Sequence, residues 1–372
     1  MLGEAQVQAL TTQVLWAAFA LALAFGAIAQ RTHFCTMGAV SDIVNMGDWA
    51  RMRMWIMAMG VAMIGFNAMV ALGWLDAGNS IYGGPRFMWL SALVGGALFG
   101  FGMVLASGCG SKTLVRIGGG NLKSLVVFIV LGVSAFATLK GISAVVRVDT
   151  VDKVALTLPT GQDLPSLVAA GTGLAKTTLA GALGFVLGGA LVGWALAREE
   201  GRRGDNLLAG FGVGAVIVAV WWVSGRLGYV TEDPSTLQEA FVATNSRRME
   251  SLSFVAPVAY TLDWLMFFSD KAKLLSLGIV SVVGVVVGSA AYALASRSFR
   301  WEGFRDAQDT ANHLAGAVLM GVGGVTALGC TIGQGLSGMS TLSLTSFVAV
   351  AAIIAGAVAA LRWQIWRVER SA

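Results

Sequence analysis

Three cysteines are the residues of this chain best placed to do chemistry. Cys35 lies in Arg31-Thr-His-Phe-Cys-Thr-Met-Gly38, Cys109 in Ser107-Gly-Cys-Gly-Ser-Lys112 and Cys330 in Gly329-Cys-Thr-Ile-Gly-Gln-Gly335. Each sits in a short polar, glycine-rich break between long apolar runs. A thiol inside an apolar run is usually an inert small hydrophobe. Three of three in breaks suggest a set of thiols lining one path. Three is an odd number with no Cys-x-x-Cys spacing, so no disulfide scaffold is indicated. With only two histidines, His33 and His313, no metal centre and no cofactor is expected. No nucleophile–base pair is apparent, so no catalytic residue is assigned and the chain reads as a non-enzyme.

The residues around the thiols fix the kind of solute. Gly108 and Gly110 flank Cys109, and Ser111, Lys112 and Arg116 follow; Gly329 precedes Cys330, and Thr331 and Gln334 follow. Broken backbone at membrane depth is tolerated only where protein buries it or water lines it. The amides freed at a new helix start are natural anion donors. Lys112, Arg116 and Lys123 come with no acid, which reads as an anion-attracting vestibule or, more simply, as a loop obeying the positive-inside rule. The Cys330 segment has no charge and reads as a second lining surface or an ordinary polar turn. These eleven residues, Cys35 included, are the candidate substrate contacts.

The elements that must position them are membrane helices. Of the 372 residues 56% are hydrophobic and 12% charged, and the mean hydropathy is +0.75, whereas a soluble domain carries about 25% charged residues. The pattern predicts an all-α polytopic membrane protein of about nine spans, near 11–30, 54–75, 88–106, 124–147, 176–197, 206–224, 274–295, 312–328 and 344–361, with broken re-entrant helices. The stretch 253–268 holds Pro257 and Asp263 and fits a re-entrant or interfacial helix. The chain reads as a single membrane domain, 1–372. A first half, 11–147, carries Cys35 and Cys109, and a second half, 274–361, carries Cys330; 148–273 supplies connecting spans and two longer loops. Lys and Arg clusters predict an external N-terminus and an internal C-terminus.

An internal repeat joins the halves. At an offset of 221, Gly95, Gly100, Gly102, Gly108 and Cys109 coincide with Gly316, Gly321, Gly323, Gly329 and Cys330. The predicted topology makes the units inverted, as in many transporters. Arg297-Ser-Phe-Arg-Trp301 matches the spacing of Arg31-Thr-His-Phe-Cys35, with Trp301 in the thiol's place, so three thiol stations and no fourth are expected.

The three cysteine motifs, with Gly38-Ala-Val-Ser-Asp-Ile43 and Gly119-Gly-Asn-Leu-Lys-Ser124, resemble the YeeE/YedE membrane-protein family over about residues 20–350. The resemblance implies thiosulfate-type uptake across the bacterial inner membrane, with Cys35, Cys109 and Cys330 along the path. A small cytoplasmic sulfur-carrier protein is an implied partner, beside the substrate anion and the bilayer. Thiosulfate is a dianion with one soft terminal sulfur. Neutral thiols are weak donors that guide it without trapping it. The alternatives are a membrane sulfurtransferase forming a cysteine persulfide, a transporter of another sulfur or selenium compound, and a passive neutral-solute channel.

Overall fold

A computed structural model describes residues 3–234 and 236–371. Fourteen α-helices account for almost all regular structure among them: α1 (Glu4–Thr32), α2 (Thr36–Met46), α3 (Ala50–Ala71), α4 (Trp89–Leu105), α5 (Gly110–Gly118), α6 (Leu122–Lys140), α7 (Ile142–Asp149), α8 (Leu164–Thr172), α9 (Lys176–Leu196), α10 (Gly204–Trp222), α11 (Ala256–Met266), α12 (Leu277–Ala295), α13 (Ala307–Thr326) and α14 (Leu344–Ser371). Two ladders of two-residue strands pin the loops, Arg86–Phe87 against Leu156–Thr157 and Tyr229–Val230 against Ala240–Phe241.

Eight segments are long and apolar enough to cross a membrane. α13 adds a ninth helix of 20 residues, whose first turns carry Asp309, Asn312 and His313. The protein is therefore an all-α polytopic membrane protein. Most observed helices lie within a few residues of the sequence expectation. Three do not: α1 starts at Glu4 rather than near 11, α14 runs on to Ser371 rather than ending near 361, and the run expected over 124–147 stops at Lys140. Gly141 takes an extended backbone (φ −104°, ψ −156°) and caps both α6 and α7. The residues 253–268 form only the 11-residue α11, opened by Pro257 near its start, too short to span.

Reciprocal packing reveals the repeat in three dimensions. α4 and α13 run antiparallel in backbone contact. A Cβ on Gly95 would lie 2.5 Å from the Ala327 nitrogen, and one on Gly316 would lie 2.6 Å from the Ala106 nitrogen. These two contacts exchange under the offset of 221, as a two-fold axis across the pair requires. The flanking seams repeat too: Gly96 and Gly100 of α4 meet α14 at Ala349 and Ile353, while Gly321 of α13 meets α6 at Leu131. The symmetry reaches further than the sequence comparison did. Gly26 and Ala22 of α1 pack on Val285 and Gly284 of α12, as Gly214 and Gly210 of α10 pack on Ala58 and Met57 of α3. Helices α1–α6 thus correspond to α10–α14 plus the turn after Cys330, in inverted order across the membrane. α9, packed along Gly60 and Gly184 against α3, lies outside the repeat.

Glycine is required at these seams because backbone meets backbone. Gly100→Ala would push a methyl into the Ile353 carbonyl. It is expected to cost about 1–3 kcal/mol of stability, read as a lower Tm of the detergent-solubilised protein; an unchanged Tm would contradict this packing.

The correspondence also corrects the placement of the fourth corner. Trp301 is 73% exposed and stacks edge-on against Phe299 at 5.2 Å, whereas the three cysteines are buried. The counterpart of Cys35, N-cap of the 11-residue α2, is Val255, N-cap of the 11-residue α11. Phe34-Cys35 and Phe254-Val255 occupy matching places. The expectation of no fourth thiol stands, at a different residue.

Candidate functional site: three buried thiols

Each cysteine is reached by the same local device. The residue two positions earlier takes a left-handed backbone: His33 (φ 52°), Ser107 (φ 54°) and Leu328 (φ 58°). Non-glycine residues seldom adopt this region, and here it ends α1, α4 and α13 abruptly. A short helix then restarts, with Cys35 as N-cap of α2 and Cys109 as N-cap of α5. After Cys330 the chain winds into a π-type turn, Gly333–Gly338. The Cys35 Sγ accepts from the Gly38 N–H at 3.3 Å and the Cys330 Sγ from the Gly333 N–H at 3.4 Å. Cys109 caps α5 without a side-chain bond to its backbone, and its thiol meets Ser111 Oγ instead. Each thiol therefore lies among the unsatisfied amides of a helix start.

The three thiols are free and buried, Cys35 at 7% exposure and Cys109 and Cys330 at 0%. Cys109 is the middle one. Its sulfur lies 3.3 Å from Ser111 Oγ, and it interacts with Cys35, Thr331 and Cys330. The Thr331 hydroxyl has no conventional hydrogen-bond partner although it is buried. The Thr36 hydroxyl and the Trp55 indole N–H, both close to the same breaks, are equally unsatisfied. Native proteins leave few such groups, so their clustering around the thiols marks a place that expects a polar guest.

The two mouths differ. On the face that holds the C-terminus, Lys112 and Arg116 lie against Gly108, and the Arg51 guanidinium covers Gly38. His33 sits within the field of Lys112 and Arg51. Arg51 is held by Asp42 at 2.9 Å and Arg31 by Asp205 at 3.4 Å. Among the described residues, neither Lys112 nor Arg116 is paired with a carboxylate. The segment after Cys109 is thus a helix, α5, that carries its two cations into the mouth; Lys123 is instead buried in pairs with Asp309 (3.0 Å) and Glu302 (3.4 Å). On the opposite face a cavity of about 190 Å³ runs between α11, α12 and the end of α13 to Ser253 and Gly329. Its charged lining group is Glu250, whose carboxyl burial pushes above the usual carboxylate range.

Of the residues singled out by sequence, Cys35, Cys109, Cys330, Gly108, Gly110, Ser111, Lys112, Gly329 and Thr331 gather at this centre, with Arg116 at its mouth. Gln334 is there too. Nε2 donates one N–H to the Ala327 carbonyl at 2.5 Å and Oε1 accepts from Ser346 Oγ at 2.6 Å, bonds that brace the Cys330 turn and leave one N–H of the amide without a protein acceptor among the described residues. Sequence reasoning missed Tyr82, Ser253 and Trp55. Tyr82 arrives from the loop after α3, and no periodicity in the sequence points it inward.

The sulphur-transport family profile matches residues 31–359, from just before the first cysteine to past the last. The chain belongs to the sulphur-transport family. It is 28% identical over 339 residues to the thiosulfate transporter TsuA of Escherichia coli (strain K12), covering 89% of each chain. It is 25% identical over 356 residues to the thiosulfate transporter TsuA of Spirochaeta thermophila, covering 92% of this chain and 97% of that one. A segment of 118 residues is 33% identical to the probable transporter YedE of Escherichia coli (strain K12), covering 31% of this chain and 27% of that one. Family, multi-pass architecture and transporter character thus agree with what the cysteine motifs resemble.

Proposed function

We propose that this protein carries thiosulfate, or a closely related sulfur anion, across the bacterial inner membrane along the series Cys330, Cys109, Cys35. The observation that carries the reading is the string of three buried thiols, drawn from both inverted halves and each seated at a helix start. The names of the two long relatives support the substrate. Neutral S–H groups meet the soft sulfur of the ion weakly and in succession, so that it is desolvated without being trapped. Gly108, Gly110 and Gly329 let backbone approach the ion, Ser111 and Thr331 add hydroxyls beside Cys109, and Lys112 and Arg116 supply positive potential at one mouth. Gln334 holds the Cys330 turn in place.

The Lys and Arg distribution favours a cytoplasmic position for the cationic mouth. Moving two negative charges inward against about 100 mV costs roughly 4–5 kcal/mol, and cations at the inner end of the path offset part of it. Consumption by a small sulfur-carrier protein in the cytoplasm would keep the gradient inward.

Flux of labelled thiosulfate into proteoliposomes is the direct test. Uptake competed by unlabelled thiosulfate but not by equal sulfate is expected, because sulfate lacks the soft sulfur. Equal competition by both anions would overturn the thiol-station reading. A stable +32 Da adduct on one cysteine, without flux, would replace it by sulfur transfer.

A further inference from the structure

The inverted symmetry leaves one corner of the path without a thiol. Val255 stands there, its Cγ2 only 2.7 Å from where a Cβ on Gly324 would be. The corner is sealed by apolar packing and has no donor of its own. A different donor has been brought to it from outside the repeat. Tyr82, on the loop between α3 and α4, is 2% exposed, its ring edge-on to Trp221 at 6.3 Å. Its hydroxyl has no hydrogen-bond partner.

The hydroxyl closes in on the bare Cα of Gly333. A Cβ on Gly333 would lie 3.4 Å from Tyr82 Oη and 2.5 Å from Ser253 Oγ. The Gly333 N–H is the one that meets the Cys330 sulfur. Ser253 also lines the 190 Å³ cavity that comes in from the N-terminal face. Two hydroxyls and the thiol-bound amide of Gly333 therefore converge on one point, where any side chain at 333 would collide with Ser253. Hydroxyl donors favour hard oxygen acceptors, whereas thiols are weak donors suited to soft ones.

Building on the thiol-path reading above, we propose that Tyr82 and Ser253 form with Gly333 and Cys330 an oxyanion subsite that binds the SO3 oxygens of the transported ion. The subsite takes the place of the missing fourth thiol. It orients the ion at the N-terminal-face end, with its oxygens on the hydroxyls and its terminal sulfur toward Cys330 and Cys109.

The test is thermal unfolding and uptake of the full chain carrying Tyr82→Phe, with thiosulfate as the probe. The ring keeps its packing and only an unsatisfied buried hydroxyl is lost. Without ligand, Tm is expected to rise by about 2 °C. With thiosulfate, the stabilising shift should shrink, and the KM for uptake should rise about tenfold, the loss expected for one charge-assisted hydrogen bond. Ser253→Ala should shift KM in the same direction, by less. An unchanged thiosulfate shift and KM in both variants would overturn the subsite. So would a fall in Tm of the ligand-free Tyr82→Phe protein, which marks a purely structural hydroxyl. Cys330→Ala measured alongside separates the two readings. If it loses thiosulfate binding while both hydroxyl variants keep it, only the subsite fails; if all three keep it, the thiol path fails as well.

Discussion

Replacing Cys109 by alanine is expected to cut thiosulfate uptake by at least about a hundredfold while leaving protein levels near normal. Cys109 is the only thiol that neighbours both others, and it adjoins Ser111 and Thr331. Removing it opens a gap in the series beside the already unpartnered Thr331 hydroxyl. Hydrogen bonds to a charged ligand are worth about 1.5–3 kcal/mol each, and in a dry passage the ion cannot borrow water instead. The fold loses little, because one sulfur atom leaves a buried site of small volume. Cys109→Ser should retain a measurable fraction of uptake, since its hydroxyl still donates. Initial rates with labelled thiosulfate, normalised to protein in the membrane, decide the matter. Full uptake by Cys109→Ala would show that the ion does not pass this thiol.

Lys112 should give the second large effect, and one of a different kind. It lies on the first turn of α5, in the field of both Cys35 and Cys109, and no carboxylate pairs with it among the described residues. A dianion about 6 Å from an ammonium gains roughly 5 kcal/mol at an effective dielectric of about 20, before the desolvation of both is charged against it. Lys112→Met is therefore expected to lower uptake at sub-saturating thiosulfate by about tenfold to a hundredfold, mostly through KM. Lys112→Glu should abolish it. The loss should change only modestly with ionic strength, because a sheltered charge is poorly screened. A loss that disappears at high salt would instead place Lys112 in general surface steering. The repeat supplies the control: the position matching Lys112 is close to Gly333, so the opposite mouth has no equivalent cation.

Much of this was legible in the sequence, for a definable reason. Apolar runs of span length can be read because the bilayer sets their length, and the glycine–cysteine breaks stand out against them. The pairing of 95–109 with 316–330 survived because backbone contact at Gly95, Gly102, Gly316 and Gly323 tolerates no other residue. The match between α1–α3 and α10–α12 was invisible. Its helices are held by shape rather than identity, and loops of different length shift the offset from helix to helix. That is why the sequence spacing points to Trp301, and not to Val255, as the counterpart of Cys35. Gly141 as a helix break was hidden inside a continuous apolar run. Tyr82 was hidden more deeply, since a loop residue is steered inward only by the contacts of the finished fold, such as the Gln162 amide donating to its carbonyl at 2.9 Å.

The glycine seams bear on how such a molecule can move. Many carriers with inverted halves work by rocking one half against the other around a fixed site. Here α4 and α13, one from each half, are fastened backbone to backbone at Gly95, Gly102, Gly316 and Gly323, and α14 and α6 cross over to clamp the opposite half's helix. Rocking would have to slide peptide groups past one another through contacts that admit not even a methyl. What these seams do not hold is short: the three left-handed turns and the 11-residue helices α2 and α11. On the path proposed above, passage would resemble a fixed throat with local gates, in which the ion advances while the scaffold stays still.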